Sequence, residues 1–435
     1  MHLSWCVWFC DSHIIYRHKL TSKHFDTKCF TTKEKRMKLA NLSLAVLCVA
    51  GLSTCSFGAD TLADAFKEGK VSGELKAFYW DRDRNPAIPS DSIFNTGVTL
   101  NYVTGSLYGF SLGLTGQSNS APFASANAKT QFGWDEYGSG AQLSEAYLAY
   151  NAGKTTVQVG RMFLNTPLIA SLGNRIVKES FEGASIVNTD IPNTTLTAAY
   201  VQKFQAQTDG AGHIGEFTRY NNPYGTSPLL EDGAYTLVAV NKSITGLTLT
   251  AAYAEDINTK GAMAYAEAAY AFSVNALNYG LAAQYYYNDK DITGSKSSDL
   301  LGLKASVGYG ALSGYVAYST VSKDATVTPG IGWGADLAYT GTIILSSSYP
   351  ANTDAYAIGL GYAFTPTTTL NVAYTVTDDD DLSYGKASYV SLIGNYAFSG
   401  ALKGLNFLVM YDKKNRDKAG TKDKDEFRFS ASYKF

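Results

Sequence analysis

At 435 residues, with 31 Tyr, 21 Phe and 40 Gly against 10 Pro and 5 Met, the chain favours strands and tight turns, because aromatics fit a pleated surface and glycine supplies turn geometry. The formal net charge of -2 hides a split, since residues 1 to 58 hold 8 Lys+Arg against 3 Asp+Glu and leave the remainder acidic. All five cysteines (Cys6, Cys10, Cys29, Cys48, Cys55) and four histidines (His2, His13, His18, His24) also lie in that first stretch. Beyond it, disulfides, thiolate metal sites and most His-based catalysis are excluded.

In chain order, residues 1-36 are basic and unlike a signal n-region; they read as upstream translation ahead of a start at Met37, or as a leader extension. Residues 37-58 read as a signal peptide: Lys38, an apolar run from Leu42 to Leu52, then small residues and cleavage after Gly58. The apolar run is too short to cross a bilayer as a helix, which takes about 20 residues. Leu52-Ser-Thr-Cys55 is a poor match to a lipoprotein box.

From residue 59 onward period-two alternation dominates. In the last segment Phe427, Phe429, Ala431, Tyr433 and Phe435 face one way, and Glu426, Arg428, Ser430, Ser432 and Lys434 the other. A wholly apolar face beside a charged one fits lipid outside and water inside. Mean hydropathy close to neutral agrees, since only alternate residues of a water-filled barrel meet lipid. Such segments fall at 70-81, 92-104, 106-117, 141-151, 153-161, 180-190, 193-205, 233-243, 246-256, 261-272, 276-289, 298-309, 312-322, 354-365, 367-378, 385-398, 403-414 and 424-435. Short turns alternate with long connections, notably the second (118-140), third (162-179), fourth (206-232) and seventh (323-353). The expectation is an all-β fold, a transmembrane antiparallel β-barrel of 18 strands, with 16 as the alternative count; a short hairpin within 323-353 would upset the count. Eighteen strands are too many for side chains to fill the lumen.

Four Tyr-x-Phe endings, Tyr270-Ala-Phe272, Tyr362-Ala-Phe364, Tyr396-Ala-Phe398 and Tyr433-Lys-Phe435, then mark a periplasmic aromatic girdle, and Tyr200, Tyr253, Tyr318, Tyr374 and Tyr411 an outer one. The terminal Phe435 is the expected assembly signal. Parity points Lys76, Lys203, Lys304 and Arg428 into the lumen, and likewise Glu74, Glu145 and Glu267.

The third connection reads Gly160-Arg-Met-Phe-Leu-Asn-Thr-Pro-Leu-Ile169, then Gly173-Asn-Arg-Ile-Val-Lys-Glu-Ser-Phe-Glu-Gly183. This pair of segments resembles the OprD-like outer-membrane porins, especially the epsilonproteobacterial type, and Thr61-Leu-Ala-Asp-Ala-Phe66 and the terminal Phe435 agree. The specific match covers residues 158 to 187; the barrel likeness covers 59-435. The resemblance implies a passive diffusion channel for small hydrophilic solutes, often carboxylate-bearing, narrowed by inward-folded third and seventh loops. It nominates Arg161, Asn165, Arg175 and Lys178 as pore constriction and selectivity candidates. Alternatively Arg161 and Arg175 anchor the loop through carboxylates such as Glu179 or Glu182. Only seven arginines follow the signal, so no full arginine ladder is evident.

An adhesin or structural barrel is the competing function. A barrel enzyme is disfavoured because His213 lacks a nucleophile pattern nearby, and no phosphate loop, zinc spacing or nucleic-acid motif occurs. The implied setting is the Gram-negative outer membrane, with lipid, lipopolysaccharide, the barrel assembly machinery and small hydrophilic solutes as partners. No cofactor or metal is expected, and assembly as a homotrimer stays open. Asp378 to Asp381 could bridge divalent cations to lipopolysaccharide, but read better as a solvated acidic loop.

Overall fold

The computed structural model describes residues 58-83, 90-219, 230-294, 296-336, 338-342, 350-379, 385-417 and 423-435. The leader expected over residues 1-36, all but the last residue of the signal expected over 37-58, Cys55 included, and Asp380 and Asp381 lie outside them.

The strands are β1 (Lys70–Asp83), β2 (Asp91–Val103), β3 (Phe110–Asn119), β4 (Gly140–Ala152), β5 (Thr155–Met162), β6 (Ser180–Asn188), β7 (Thr194–Gln205), β8 (Phe217–Thr218) and β9 (Ala234–Asn241). They continue as β10 (Leu247–Asp256), β11 (Ala262–Val274), β12 (Leu277–Asn288), β13 (Ser298–Tyr309), β14 (Leu312–Val321), β15 (Thr353–Thr365), β16 (Thr368–Asp379), β17 (Ala387–Ala397), β18 (Leu405–Arg416) and β19 (Lys424–Lys434). Each pairs antiparallel with its chain neighbour, except that two-residue β8 belongs to the fourth loop and β7 pairs directly with β9. β1 pairs with β19, so eighteen strands close a barrel and no wall strand keeps an open edge. Among the described residues no strand lies between Val321 and Thr353, and the closed barrel has the expected eighteen wall strands. One boundary moves: β3 begins at Phe110, not 106, because Tyr108 (φ 51°) and Gly109 (φ 88°) turn the chain in left-handed conformations.

Large apolar side chains such as Leu249, Leu281, Val316, Ile358 and Val372 are exposed on the outer wall, as a lipid-facing band requires. The Tyr-x-Phe pairs share that face at one end of the barrel, with ring centroids 5.3 Å apart for Tyr270 and Phe272 and 4.6 Å for Tyr396 and Phe398. Phe398, Phe407 and Phe429 continue the row at 5.0 and 5.5 Å.

Inside, two apolar clusters hold the loops to the wall. In one, Leu168 and Ile169 of the third loop and Val327 and Ile331 of the seventh pack on Phe181, Phe204, Tyr265 and Tyr286. In the other, Phe132 of the second loop, Ile176 and Val177 of the third and Ile214 of the fourth pack on Phe78, Trp80 and Ile93 of β1 and β2. Bulky inward side chains on a water-facing wall are thus the seats of the loops.

Candidate functional site

The third loop turns on Thr166, whose Oγ1 accepts from the Ile169 N–H at 2.9 Å and donates to the Ile169 carbonyl at 2.8 Å. That turn presents Leu168 to Ala170 as an extended edge. The seventh loop pairs with it: Ile331 N–H donates to Leu168 O at 2.8 Å, and Ala170 N–H to Ile331 O at 3.0 Å. Glu179 closes the junction by accepting from Leu172 N–H at 2.9 Å and Trp333 N–H at 3.0 Å. Burial among these amides raises the Glu179 carboxyl to about 7, against the opposing pull of the amides and of Arg175.

Arg175 enters a second junction built around one indole. The guanidinium carbons of Arg82, Arg428 and Arg175 lie 3.9, 4.0 and 5.1 Å from the Trp80 ring centre. The ring's negative face suits such cations. Carboxylates balance them: Arg82 reaches Asp135 at 2.6 Å and Glu426 at 3.5 Å, Arg175 reaches Asp135 at 3.0 Å, and Arg428 reaches Glu426 at 2.6 Å. Arg175 also donates to Gln207 of the fourth loop at 2.7 Å, and Lys76 Nζ donates to the Arg175 carbonyl at 2.7 Å. Glu136 accepts from Ile176 N–H at 3.2 Å, and its burial raises that carboxyl to about 7 despite Arg175 and Lys76 nearby. This cluster ties β1, β19 and three loops together. Of the carboxylates named as anchors for Arg161 and Arg175, Glu182 pairs with Arg161, whereas the partner of Arg175 is Asp135 on the second loop.

The other nominated residues separate into three groups. Lys178 is fixed in the third loop, its N–H donating to Gln117 at 2.8 Å and its ammonium 4.3 Å from the Phe163 ring centre, whereas Asn165 is exposed. Glu145 and Glu267 face inward and hold loops: Phe163 N–H donates to Glu145 at 3.1 Å, and Tyr265 and Tyr339 hydroxyls donate to Glu267 at 2.8 and 3.0 Å. Lys304 faces inward over Tyr315 at 4.4 Å. Glu74 stands opposite Lys434 in the β1–β19 seam.

Lys203 and Arg161 do not face the lumen. The register slips between Glu182 and Gly183, leaving Gln202 as an extra residue between Val201 and Lys203. The bulge reverses the side-chain parity beyond it. Lys203 therefore turns outward, where it meets Glu182 at 2.5 Å, and Arg161, opposite Glu182 in register, meets the same carboxylate at 3.1 Å.

Inward cations that alternation alone left unremarked line β18 and β19: Lys414 stands opposite Lys424, with Arg416 on the same face and Tyr389 4.8 Å beneath Lys414. Lower on that wall Lys434 shares the field of Lys76 and Lys178. His213 is an exposed loop residue whose Nδ1 lies 3.0 Å from Asp209 Oδ2. Among the described residues no cluster of His, Cys, Asp or Glu could hold a metal ion.

The family model described as outer membrane porin, OprD family, matches residues 66–435. No curated relative matches the chain. Among solved structures, Pseudomonas aeruginosa OccK9 (OpdG) is similar with a TM-score of 0.74 and 16% identity over 85% of this chain and 99% of that one. Acinetobacter baumannii OccAB3 gives 0.72 and 17% over 85% and 99%. Pseudomonas aeruginosa OpdK with vanillate gives 0.67 and 16% over 85% and 99%. With its closed eighteen-strand barrel and loops seated on the inner wall, the chain belongs to the OprD family of outer membrane porins.

Proposed function

We propose that this outer-membrane channel for small solutes favours carboxylate-bearing ones, drawn along the inner wall of β17, β18, β19 and β1. The observation that carries this reading is the disposition of inward cations: Arg416, Lys414 and Lys424 toward the loop end, and Lys76, Lys434 and the third-loop Lys178 toward the turn end. Positive charge on a low-dielectric wall concentrates anions and replaces part of the hydration they shed on entering a narrow path. Vanillate, the molecule named with the similar OpdK, is itself a carboxylate. The third and seventh loops, joined through Ile169 and Ile331, are the proposed constriction. The activity is passive and non-enzymatic, and residues 37-58 serve export as a signal.

Planar-bilayer recording of the purified protein tests this. Discrete conductance steps and a reversal potential on the anion side are expected in a salt gradient. Replacing Lys414 and Lys424 with Gln should lower the anion-to-cation permeability ratio about threefold, the effect of removing less than about 1 kcal/mol of solvated Coulomb attraction. Cation preference in the unaltered protein, or an unmoved ratio in the variant, would defeat the carboxylate reading. Absence of steps would defeat the channel itself.

A further inference from the structure

Charges on the outer wall of a membrane barrel need a reason, and Arg161, Glu182 and Lys203 form a triad there. In-register partners share a face, and Arg161 stands opposite both Ala146 and Glu182. Leu148, Val159 and Ile186, on the same face of their strands, are exposed apolar residues of the lipid-facing band. The triad's height follows from the register. Tyr200 pairs with Tyr235, whose ring lies 6.0 Å from that of Tyr253, and this tyrosine row marks the loop end of the apolar band. Ala184 pairs with Tyr200, and Glu182 and Lys203 lie beyond that level. Such a level meets lipid head groups, not acyl chains.

Two cations share one carboxylate, so the triad keeps one excess positive charge. Each side chain remains about a third exposed, at 33% for Arg161, 29% for Glu182 and 34% for Lys203. Arg161 is held in place by a bond to the Leu143 carbonyl at 3.3 Å and by the Phe217 ring of β8, 4.3 Å from its guanidinium carbon. A fixed planar guanidinium beside an ammonium matches a phosphate, which accepts from both. We propose that Arg161 and Lys203 bind a phosphate group of an outer-leaflet glycolipid, whose acyl chains lie on Leu148, Val159 and Ile186. Glu182 acts as a positioning residue that holds the two cations side by side.

Native mass spectrometry of the full chain in detergent, with diphosphoryl lipid A as probe, tests the site. Wild-type protein should retain the lipid, and Arg161→Gln/Lys203→Gln should retain it about tenfold less well, as expected for loss of about 1.4 kcal/mol. Glu182→Ala, which leaves nothing between the two cations to hold them side by side, should retain the lipid less well, whereas Glu182→Gln, which keeps an acceptor there and removes only the competing charge, should retain it at least as well as wild type. Lys203→Arg should behave as wild type. Equal retention by the double variant would overturn the proposal. So would displacement of the lipid by equimolar inorganic phosphate, which would make the ligand a free ion. A change of oligomeric mass in the double variant with lipid retention intact would assign the triad to an interface between copies and also overturn it. If the double variant does not fold, wild type decides: equal retention of diphosphoryl and fully dephosphorylated lipid A would refute phosphate recognition. The proposal rests on outer-membrane residence alone, so its failure would leave the conductance results standing.

Discussion

Arg175 is the residue on which three loops depend, because its guanidinium meets Asp135 of the second loop, Gln207 of the fourth and the Trp80 ring of the wall. Removing one partner of a buried ion pair costs about 3 to 5 kcal/mol, since the other charge stays buried. Arg175→Ala should therefore loosen the loops, seen as greater open-channel current noise and faster proteolysis within residues 120 to 179. Arg161→Ala breaks a partly exposed pair worth about 1 kcal/mol or less. It should leave both noise and reversal potential near wild type, and a large shift toward cations would place Arg161 in the ion path after all.

Glu136 and Glu179 add a pH dependence at the same scale. Burial raises both carboxyls from 4.5 to about 7, with Arg175, Lys76 and Asp135 facing Glu136 and Arg175 facing Glu179. Loops docked this way hold more protons than loops released into water. Docking thus strengthens as pH falls through about 7 toward 4.5, and is weakest above 7. Current noise should decline between pH 8 and pH 5, and Glu136→Gln/Glu179→Gln should flatten the profile. Noise that rises on acidification would show the sign to be wrong.

At the scale of elements, the junction of third and seventh loops depends on glycines that admit no side chain. A Cβ on Gly330 would lie 2.3 Å from the Leu168 carbonyl oxygen, and one on Gly332, at φ +76°, would lie 2.4 Å from that of Ala170. Both contacts are with backbone, which cannot swing aside. Gly332→Val should part the two loops and raise single-channel conductance by a factor of about two while the barrel still assembles; an unchanged conductance would mean that this junction does not limit flow. The wall was legible in the sequence because alternation and turn residues are local signals, and eighteen segments so marked are the eighteen strands. The loop seats were less so. Lys203 was misplaced because a one-residue bulge leaves no trace in the alternation on either side of it. The Trp80 cluster joins β1, β19 and residues 132 to 175, contacts set by folding of the whole chain. One local signal did exist: Phe78 and Trp80 share the face of Lys76, and bulky aromatics on a water-facing wall imply that something packs on them.

The molecule as a whole depends on one seam, where the first strand, β1, pairs with the last, β19, and closes the barrel. The seam runs in register from Glu74 with Lys434 to Asp83 with Asp425. It is extended by Phe435, whose N–H donates to the Gly73 carbonyl at 3.1 Å and whose own carbonyl accepts from Gly73 N–H at 3.0 Å. The Phe435 ring also lies over Gly73, since a Cβ there would stand 2.6 Å from its Cζ. Phe272, Phe364 and Phe398 sit in the same aromatic row but close nothing. Deleting Phe435 removes two ladder hydrogen bonds, together worth about 1 to 3 kcal/mol, at the point where an unclosed sheet would keep an open edge. The folded fraction, read by heat-modifiable migration of membrane extracts, should fall severalfold on deletion of Phe435 and only slightly for Phe272→Leu. Gly73→Val crowds the same ring, and also the Thr99 carbonyl oxygen of β2, which a Cβ there would approach to 2.7 Å, so it disturbs packing at the seam without touching the terminus. If it matches the deletion, seam packing is the cause. If it assembles normally while the deletion does not, the terminal residue acts through recognition by the assembly machinery, and equal defects in all three variants would reduce Phe435 to one girdle aromatic among several.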